Sequence, residues 1–160
     1  MATFMHAISQ KKKVKQIRIL VIDDQEDQWQ LTRCALQQTI PTAQLHWSPS
    51  ADEATRYVSE QLNMDWDYPQ LILLDLYMPQ PEQGWQVLKT IRELPVPFNQ
   101  VPVIVFTNSD DGKEIHQSYQ LGATSYLVKP LNFSHWLDYF STVREYWLDT
   151  ATLVPIRVAI

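Results

Sequence analysis

Leu71-Ile72-Leu73-Leu74 is a run of four consecutive apolar residues, ended by Asp75 and closed off by Pro79 four positions later. A strand with one face in water alternates polar and apolar residues. An unbroken apolar run belongs to a strand buried on both faces, the condition met inside a parallel sheet covered by helices. Proline has no amide hydrogen for the sheet ladder, so the strand stops before Pro79. Asp75 therefore stands where a buried strand meets the end of its sheet, and a lone carboxylate there is costly unless something compensates it.

The rest of the chain repeats this arrangement. Ile17-Arg18-Ile19-Leu20-Val21-Ile22 reads as a first strand ending in Asp23-Asp24. Residues 26–39 read as a helix closed by Ile40-Pro41, and 43–47 as a short strand at the sheet edge. Ser50 and Glu53 have the spacing of a capping box for a second helix running to about residue 63. A third helix is expected over 85–94, ended by Pro95. A fourth strand over 101–106 finishes at Thr107, and a fourth helix spans about 111–121 before Gly122. Strand five, 125–128, ends at Lys129-Pro130. Helix five follows Asn132, its Phe133, Trp136, Leu137, Phe140, Val143 and Trp147 forming one apolar stripe. Five strand–helix units in succession imply an α/β fold with parallel strands and right-handed crossovers. The organisation expected is a basic arm over 1–16, one domain over 17–147 and an apolar tail over 148–160. The tail either packs back on the domain or meets a partner.

Composition narrows the classes. The 160 residues carry 13 lysines and arginines against 18 acids, a net charge of −5. Nucleic-acid binders usually present a basic surface, so nucleic acid is not the expected partner. No apolar run approaches the roughly 18–20 residues of a membrane span, so no membrane association is expected. A single cysteine, Cys34, excludes an internal disulfide and fits a reducing cytoplasm. Its neighbours Leu31, Ala35 and Leu36 suggest a core position.

Four strands end in polar chemistry: Asp23-Asp24, Asp75, Thr107 and Lys129. In an open parallel sheet, ligands bind at the carboxyl ends of the strands, where the strand order reverses. Two carboxylates 4 Å apart repel by about 4 kcal/mol at an effective dielectric of 20. Either one stays protonated or a cation sits among them. An all-oxygen set with two or three carboxylates suits Mg²⁺ and a phosphate oxygen. The histidines, His6, His46, His116 and His135, lack the ligand spacing zinc would need. Asp75 can then act as a carboxylate nucleophile towards a phosphoryl group. Lys129 would hold one phosphate oxygen and Thr107 would donate a hydroxyl to another. The competing reading makes Lys129 a static partner of the acids.

Together, Asp23-Asp24, Asp75 followed by Met78-Pro79, Thr107 and Lys129-Pro130 resemble the receiver domain of two-component response regulators. The resemblance covers residues 17–147 and implies a flavodoxin-like doubly wound sheet of order 2-1-3-4-5, with Asp75 phosphorylated by a sensor histidine kinase. It implies Asp24, Asp75 and the Tyr77 carbonyl as direct Mg²⁺ ligands, with Asp23 acting through water. Thr107 and Tyr126 match the switch pair, and Lys129 the phosphate-binding lysine, with a cis bond to Pro130. Tyr126 to Pro130, Asn132-Phe133 and Tyr146-Trp147 further resemble single-domain regulators partnered with bacterial phytochromes. That resemblance implies a cytoplasmic homodimer built on helix four, strand five and helix five, and Tyr139 and Tyr146 are candidates for the contact.

The expected function is a stand-alone phosphorylation switch, not an enzyme, signalling by protein–protein contact. The alternatives are an unphosphorylated interaction module of the same fold, and an aspartyl phosphatase. The latter would need a second acid two residues beyond Asp75, where Tyr77 stands. Two features depart from the family pattern. Gln80, Pro81, Glu82 and Gln83 put one extra residue between Pro79 and Gly84, and Tyr77 is bulky where smaller groups are common. Tyr77 is expected to shield an acyl phosphate on Asp75 from water. The phosphoryl half-life of Tyr77→Asn should therefore be shorter than that of wild type, and a longer one would contradict the shielding role.

Overall fold

The computed structural model describes residues 16–63 and 68–155. The strands are β1 (Arg18–Ile22), β2 (Gln44–Ser48), β3 (Leu71–Leu74), β4 (Val103–Thr107) and β5 (Ser125–Val128). They form one parallel sheet in the order β2-β1-β3-β4-β5. The helices between and after them are α1 (Glu26–Thr39), α2 (Ala51–Glu60), α3 (Pro81–Arg92), α4 (Gly112–Gln120) and α5 (Phe133–Arg144). This is the doubly wound flavodoxin-like architecture anticipated from the alternation of runs.

Each central strand feeds two cores. Ile19 and Val21 of β1, Leu71 and Leu73 of β3, and Ile104 and Phe106 of β4 face Trp29, Ala35 and Leu36 of α1 and Trp136, Phe140 and Val143 of α5. Their alternates, Leu20, Ile22, Ile72, Leu74 and Val103, face Ala54 and Val58 of α2 and Val87, Leu88 and Ile91 of α3. Residue-by-residue alternation between two apolar layers explains why these strands show no polar face. The edge strand β2 alternates exposed and half-buried residues, as an edge allows.

Register then fixes the functional end. Ile22 pairs with Leu74, so Asp23 and Asp75 emerge side by side, and the Asp75 amide donates to the Ile22 carbonyl at 2.9 Å. Thr107 pairs with Val128, and the Lys129 amide donates to the Thr107 carbonyl at 2.7 Å. Strand order reverses between β1 and β3, the position where such sheets open a crevice.

Several expectations need correction. Cys34 is exposed. The buried positions of α1 are Trp29, Thr32, Ala35, Leu36 and Thr39. Two threonines complete the helical stripe, so the inward face lies one position away from where the apolar letters alone place it. α2 ends at Glu60 and continues as a 3₁₀ turn, Gln61–Asn63. β4 begins at Val103, after a 3₁₀ turn at Phe98–Gln100. The cis bonds lie at Met78–Pro79 and Val96–Pro97, and Lys129–Pro130 is trans. The two isomers of such a bond differ by only about 0.5–1 kcal/mol, so local sequence does not decide between them.

Helix α5 does not end at its last regular turn. It widens into a π-helical turn, Glu145–Thr150, and Leu148 and Leu153 pack against the core under α1 and α5. The described part of the apolar tail therefore folds back on the domain. Residues 156–160 of the tail, and the basic arm up to residue 15, lie outside the described residues.

The third helix starts at Pro81, four residues earlier than its apolar pattern suggests, with Pro81 at the position that needs no amide donor. The Gln83 side chain accepts from the Gln80 amide at 3.1 Å. The extra residue after Pro79 is thus taken up in a capped first turn. Gly84 then sits on Leu76: its amide donates to the Leu76 carbonyl at 3.1 Å. A Cβ at Gly84 would lie 2.4 Å from the Leu76 Cα and 2.5 Å from its carbonyl oxygen. Both are backbone atoms that cannot swing aside. Gly84→Ala should lower stability by about 1–3 kcal/mol with an unchanged denaturant slope, measured by urea unfolding. An unchanged midpoint would show that the Leu76–Gly84 approach is not tight.

Candidate functional site

Asp23, Asp75, Thr107 and Lys129 converge at the carboxyl end of the sheet, and all four are buried. The Lys129 ammonium lies between the two acids, 2.8 Å from Asp23 Oδ2 and 3.2 Å from Asp75 Oδ2. It also donates to Gln28 Oε1 at 3.4 Å and lies 5.6 Å from the centre of the Phe106 ring. The Thr107 hydroxyl donates to Asp75 Oδ1 at 2.8 Å, and the Tyr77 amide donates to the same oxygen at 3.2 Å. Asp23 Oδ1 accepts from the Gln25 amide at 3.0 Å. Asp24 is exposed at the rim.

One lysine pairs with two of the three acids, Asp23 and Asp75. Burial pushes the Asp23 carboxyl up, the nearby Lys129 ammonium pulls it back, and Asp75 pushes it up again. Asp24 is also pushed up, first by burial and then by the negative charge of Asp75. Among the described residues no three acid, histidine or cysteine side chains form a ready-made metal cage. The donor set is instead two or three carboxylates with surplus negative charge beside an open cleft, a composition that fits a hard divalent cation retaining several waters.

The cleft holds ≈ 370 Å³ and is lined by Gln25, Asp75, Tyr77, Thr107, Asn108 and Ser109. Tyr77, 37% exposed, forms part of its outer wall. The Tyr77 hydroxyl donates to Glu114 Oε1, and the Ser109 hydroxyl donates to Glu114 Oε2. Tyr126 donates its hydroxyl to the Ser109 carbonyl at 2.8 Å, and burial pushes its phenol up to about 12. Asp111 caps α4 by accepting from the amides of Lys113 and Glu114, both at 3.0 Å. The expected switch pair, Thr107 and Tyr126, therefore sits apart: Thr107 touches Asp75, and Tyr126 touches the β4–α4 loop.

Tyr139 and Tyr146 lie elsewhere. They line a separate apolar groove of ≈ 490 Å³ with Ile104, Leu127, Val143 and Trp147, where β5 meets α5. Tyr146 is 54% exposed. Gln25, Gln28 and Glu114 carry no signal in the sequence; only the fold brings them to the strand ends.

A parallel β2-β1-β3-β4-β5 sheet carries acids after β1 and β3, a hydroxyl after β4 and a lysine after β5, the arrangement of a receiver-type site. The model of the response regulator receiver domain matches residues 19–140, and the chain belongs to that family. The chain is 28% identical over 130 residues to the probable methanogenesis regulatory protein FilR2 of Methanothrix harundinacea, covering 81% of this chain and 83% of that one. It is 35% identical over 85 residues to the response regulator Rcp1 of Synechocystis sp., 53% of this chain and 56% of Rcp1. Among solved structures, the phosphorylated cyanobacterial phytochrome response regulator RcpA superposes with a TM-score of 0.76 at 29% identity, covering 87% of this chain and 99% of RcpA. The Mn²⁺-bound form of Rcp1 gives 0.72 at 27%, covering 86% and 99%. Among the described residues no helix is long and apolar enough to cross a membrane.

The raised Asp24 carboxyl makes a stability prediction. A group whose folded pKa lies above its ordinary 3.8 stabilises the fold fully only below that value. That contribution is lost as pH rises through the folded pKa, so ionised Asp24 destabilises the protein at neutral pH. Asp24→Asn should therefore raise the thermal midpoint of the metal-free protein at pH 7, and the gain should vanish below about pH 4. A lower midpoint at pH 7 would contradict a carboxyl raised by burial and by Asp75.

Proposed function

We propose that this receiver accepts a phosphoryl group on Asp75 from a sensor histidine kinase and signals through a change in its protein contacts. The observation that carries this reading is the environment of the Asp75 carboxylate. Its two oxygens face a hydroxyl donor and an ammonium, and it opens on a cleft large enough for a phosphoryl group. An Asp75 oxygen forms the new bond to phosphorus while the bond from phosphorus to the donor nitrogen breaks. Thr107 and Lys129 meet the oxygens of the transferred group, in keeping with a reaction that depends on positioning and charge neutralisation. Asp24, Asp75 and the Tyr77 carbonyl would hold Mg²⁺ directly, with Asp23 behind them. When bound, the metal neutralises the acids and the incoming phosphoryl oxygens.

Output follows from the Thr107–Tyr126 pair. A phosphoryl group that draws Thr107 into new contacts favours one arrangement of β4, the loop after it and Tyr126. The groove at Tyr139 and Tyr146, continuous with α5, is the proposed homodimer surface. The likeness to RcpA and Rcp1 supports a phytochrome-type kinase as the writer of the signal. The domain acts as a switch rather than as an enzyme.

Incubation with Mg²⁺ and acetyl phosphate should label the wild type and not Asp75→Asn, read by intact mass. Labelling that persists in Asp75→Asn would move the acceptor elsewhere. Absence of label on the wild type would favour the unphosphorylated interaction module. Mg²⁺ at a hundredfold excess over its dissociation constant should stabilise the wild type by about 2.7 kcal/mol, about 5–10 °C in midpoint. Asp24→Asn should lose most of that shift, and an equal shift in the variant would take Asp24 out of the metal site.

A further inference from the structure

Glu114 belongs to the first turn of α4, outside every acid whose position at a strand end marks it for chemistry. Its two carboxylate oxygens are used by two groups from the cleft wall, the Tyr77 hydroxyl and the Ser109 hydroxyl. Those donors come from different segments: Tyr77 from the loop after β3, Ser109 from the loop after β4. Glu114 thus ties both walls of the cleft over Asp75 to α4. The helix itself is loosely embedded, since Ser118 is its one buried residue. Ser118 accepts from Trp85 Nε1 of α3 at 3.1 Å, so α4 rests on polar ties more than on a packed apolar face.

We propose that Glu114 is a positioning residue that holds the Tyr77 ring across the mouth of the cleft and thereby sets how long a phosphoryl group on Asp75 survives. The inference rests on Asp75 being the acceptor. Loss of that group is hydrolysis: a water oxygen bonds to phosphorus as the phosphorus–Asp75 oxygen bond breaks. The carboxylate and inorganic phosphate are released, and the proton goes to solvent. Water needs an open approach to phosphorus, and an exposed tyrosine ring without a partner would leave that approach by rotation about its side-chain bonds. Bonded to Glu114, the ring stays in the wall. Ser109 extends the tie, because its carbonyl accepts the Tyr126 hydroxyl. Displacement of Tyr126 therefore reaches the latch through one residue, which links the switched state to the rate at which the signal decays.

The test uses the full chain, labelled with acetyl phosphate and Mg²⁺, freed of donor and followed for decay of the phosphoryl group. Glu114→Ala should shorten the half-life by about tenfold or more, the scale of one hydrogen bond to a charged acceptor. Glu114→Gln keeps an acceptor oxygen and should stay within about twofold of wild type. Tyr77→Phe should shorten it as Glu114→Ala does, and combining the two should add nothing further, because both break the Tyr77–Glu114 contact that holds the ring. Thermal midpoints measured in parallel separate a changed lifetime from a changed fold. Half-lives unchanged in Glu114→Ala, or shortened equally in Glu114→Gln and Glu114→Ala, would overturn the latch. Additive effects in the double variant would overturn it as well. Failure of Asp75 itself shows differently, as absence of label before any decay is measured.

Discussion

The buried ammonium of Lys129, held between Asp23 and Asp75, is the contact on which the functional end of the sheet depends. It is built from the two halves of the fold. Asp23 and Asp75 are brought together by the β1–β3 register, and Lys129 arrives from β5 at the edge of the same sheet, across β4. Breaking such a pair by removing one partner leaves a buried charge uncompensated, a loss of about 3–5 kcal/mol. Yet the lysine does not satisfy the cluster. Burial is the first cause that pushes the Asp23 and Asp24 carboxyls up, with the negative charge of Asp75 adding to it. The site is held together by Lys129 and still carries more carboxylates than cations.

The same contact places Thr107 and the loop after it. Lys129 follows β5 directly, and its amide bonds the Thr107 carbonyl, so the end of β4 is fixed on one side by backbone and on the other by the Thr107–Asp75 hydrogen bond. Beyond Thr107 the contacts become polar and only part-buried: Ser109 with Glu114, Tyr126 with Ser109, Trp85 with Ser118. Rigidity at Asp75 thus gives way to a helix, α4, tied by a few hydrogen bonds. Elements that move in switching come from the less stable part of a fold. Arg92 limits the extent of that softness. It donates to the carbonyls of Gly122, Asn99 and Val101, pinning the turn after α4 to the end of α3 and to the segment before β4.

How much of this was legible in the sequence differs by kind of signal. The unbroken run Leu71–Leu74 and its counterparts gave the strands, and the polar residue after each gave the site, because burial on both faces leaves a strand end as the first place for a charge. Helix starts were less legible. The apolar pattern of α3 begins at Trp85, while the helix begins at Pro81 through capping by Gln83, a contact that hydrophobic spacing does not register. Cys34 reads as a core residue but is exposed, because Thr32 and Thr39 fill the buried face of α1 and threonine reads as polar. Glu114 and Gln28 were invisible for another reason. They sit on helix surfaces where acids and amides are ordinary, and only the tertiary arrangement brings them to the cleft.

The proposed cation site rests on electrostatics: Asp23, Asp24 and Asp75 have one lysine among them, a deficit that a divalent cation would answer. Calorimetric titration of Mg²⁺ into wild type and Lys129→Met at pH 7 tests it directly. Removing the ammonium leaves the acids more negative, so the variant should bind Mg²⁺ more tightly, by about tenfold or more. Equal or weaker Mg²⁺ binding by a folded Lys129→Met protein would contradict the account.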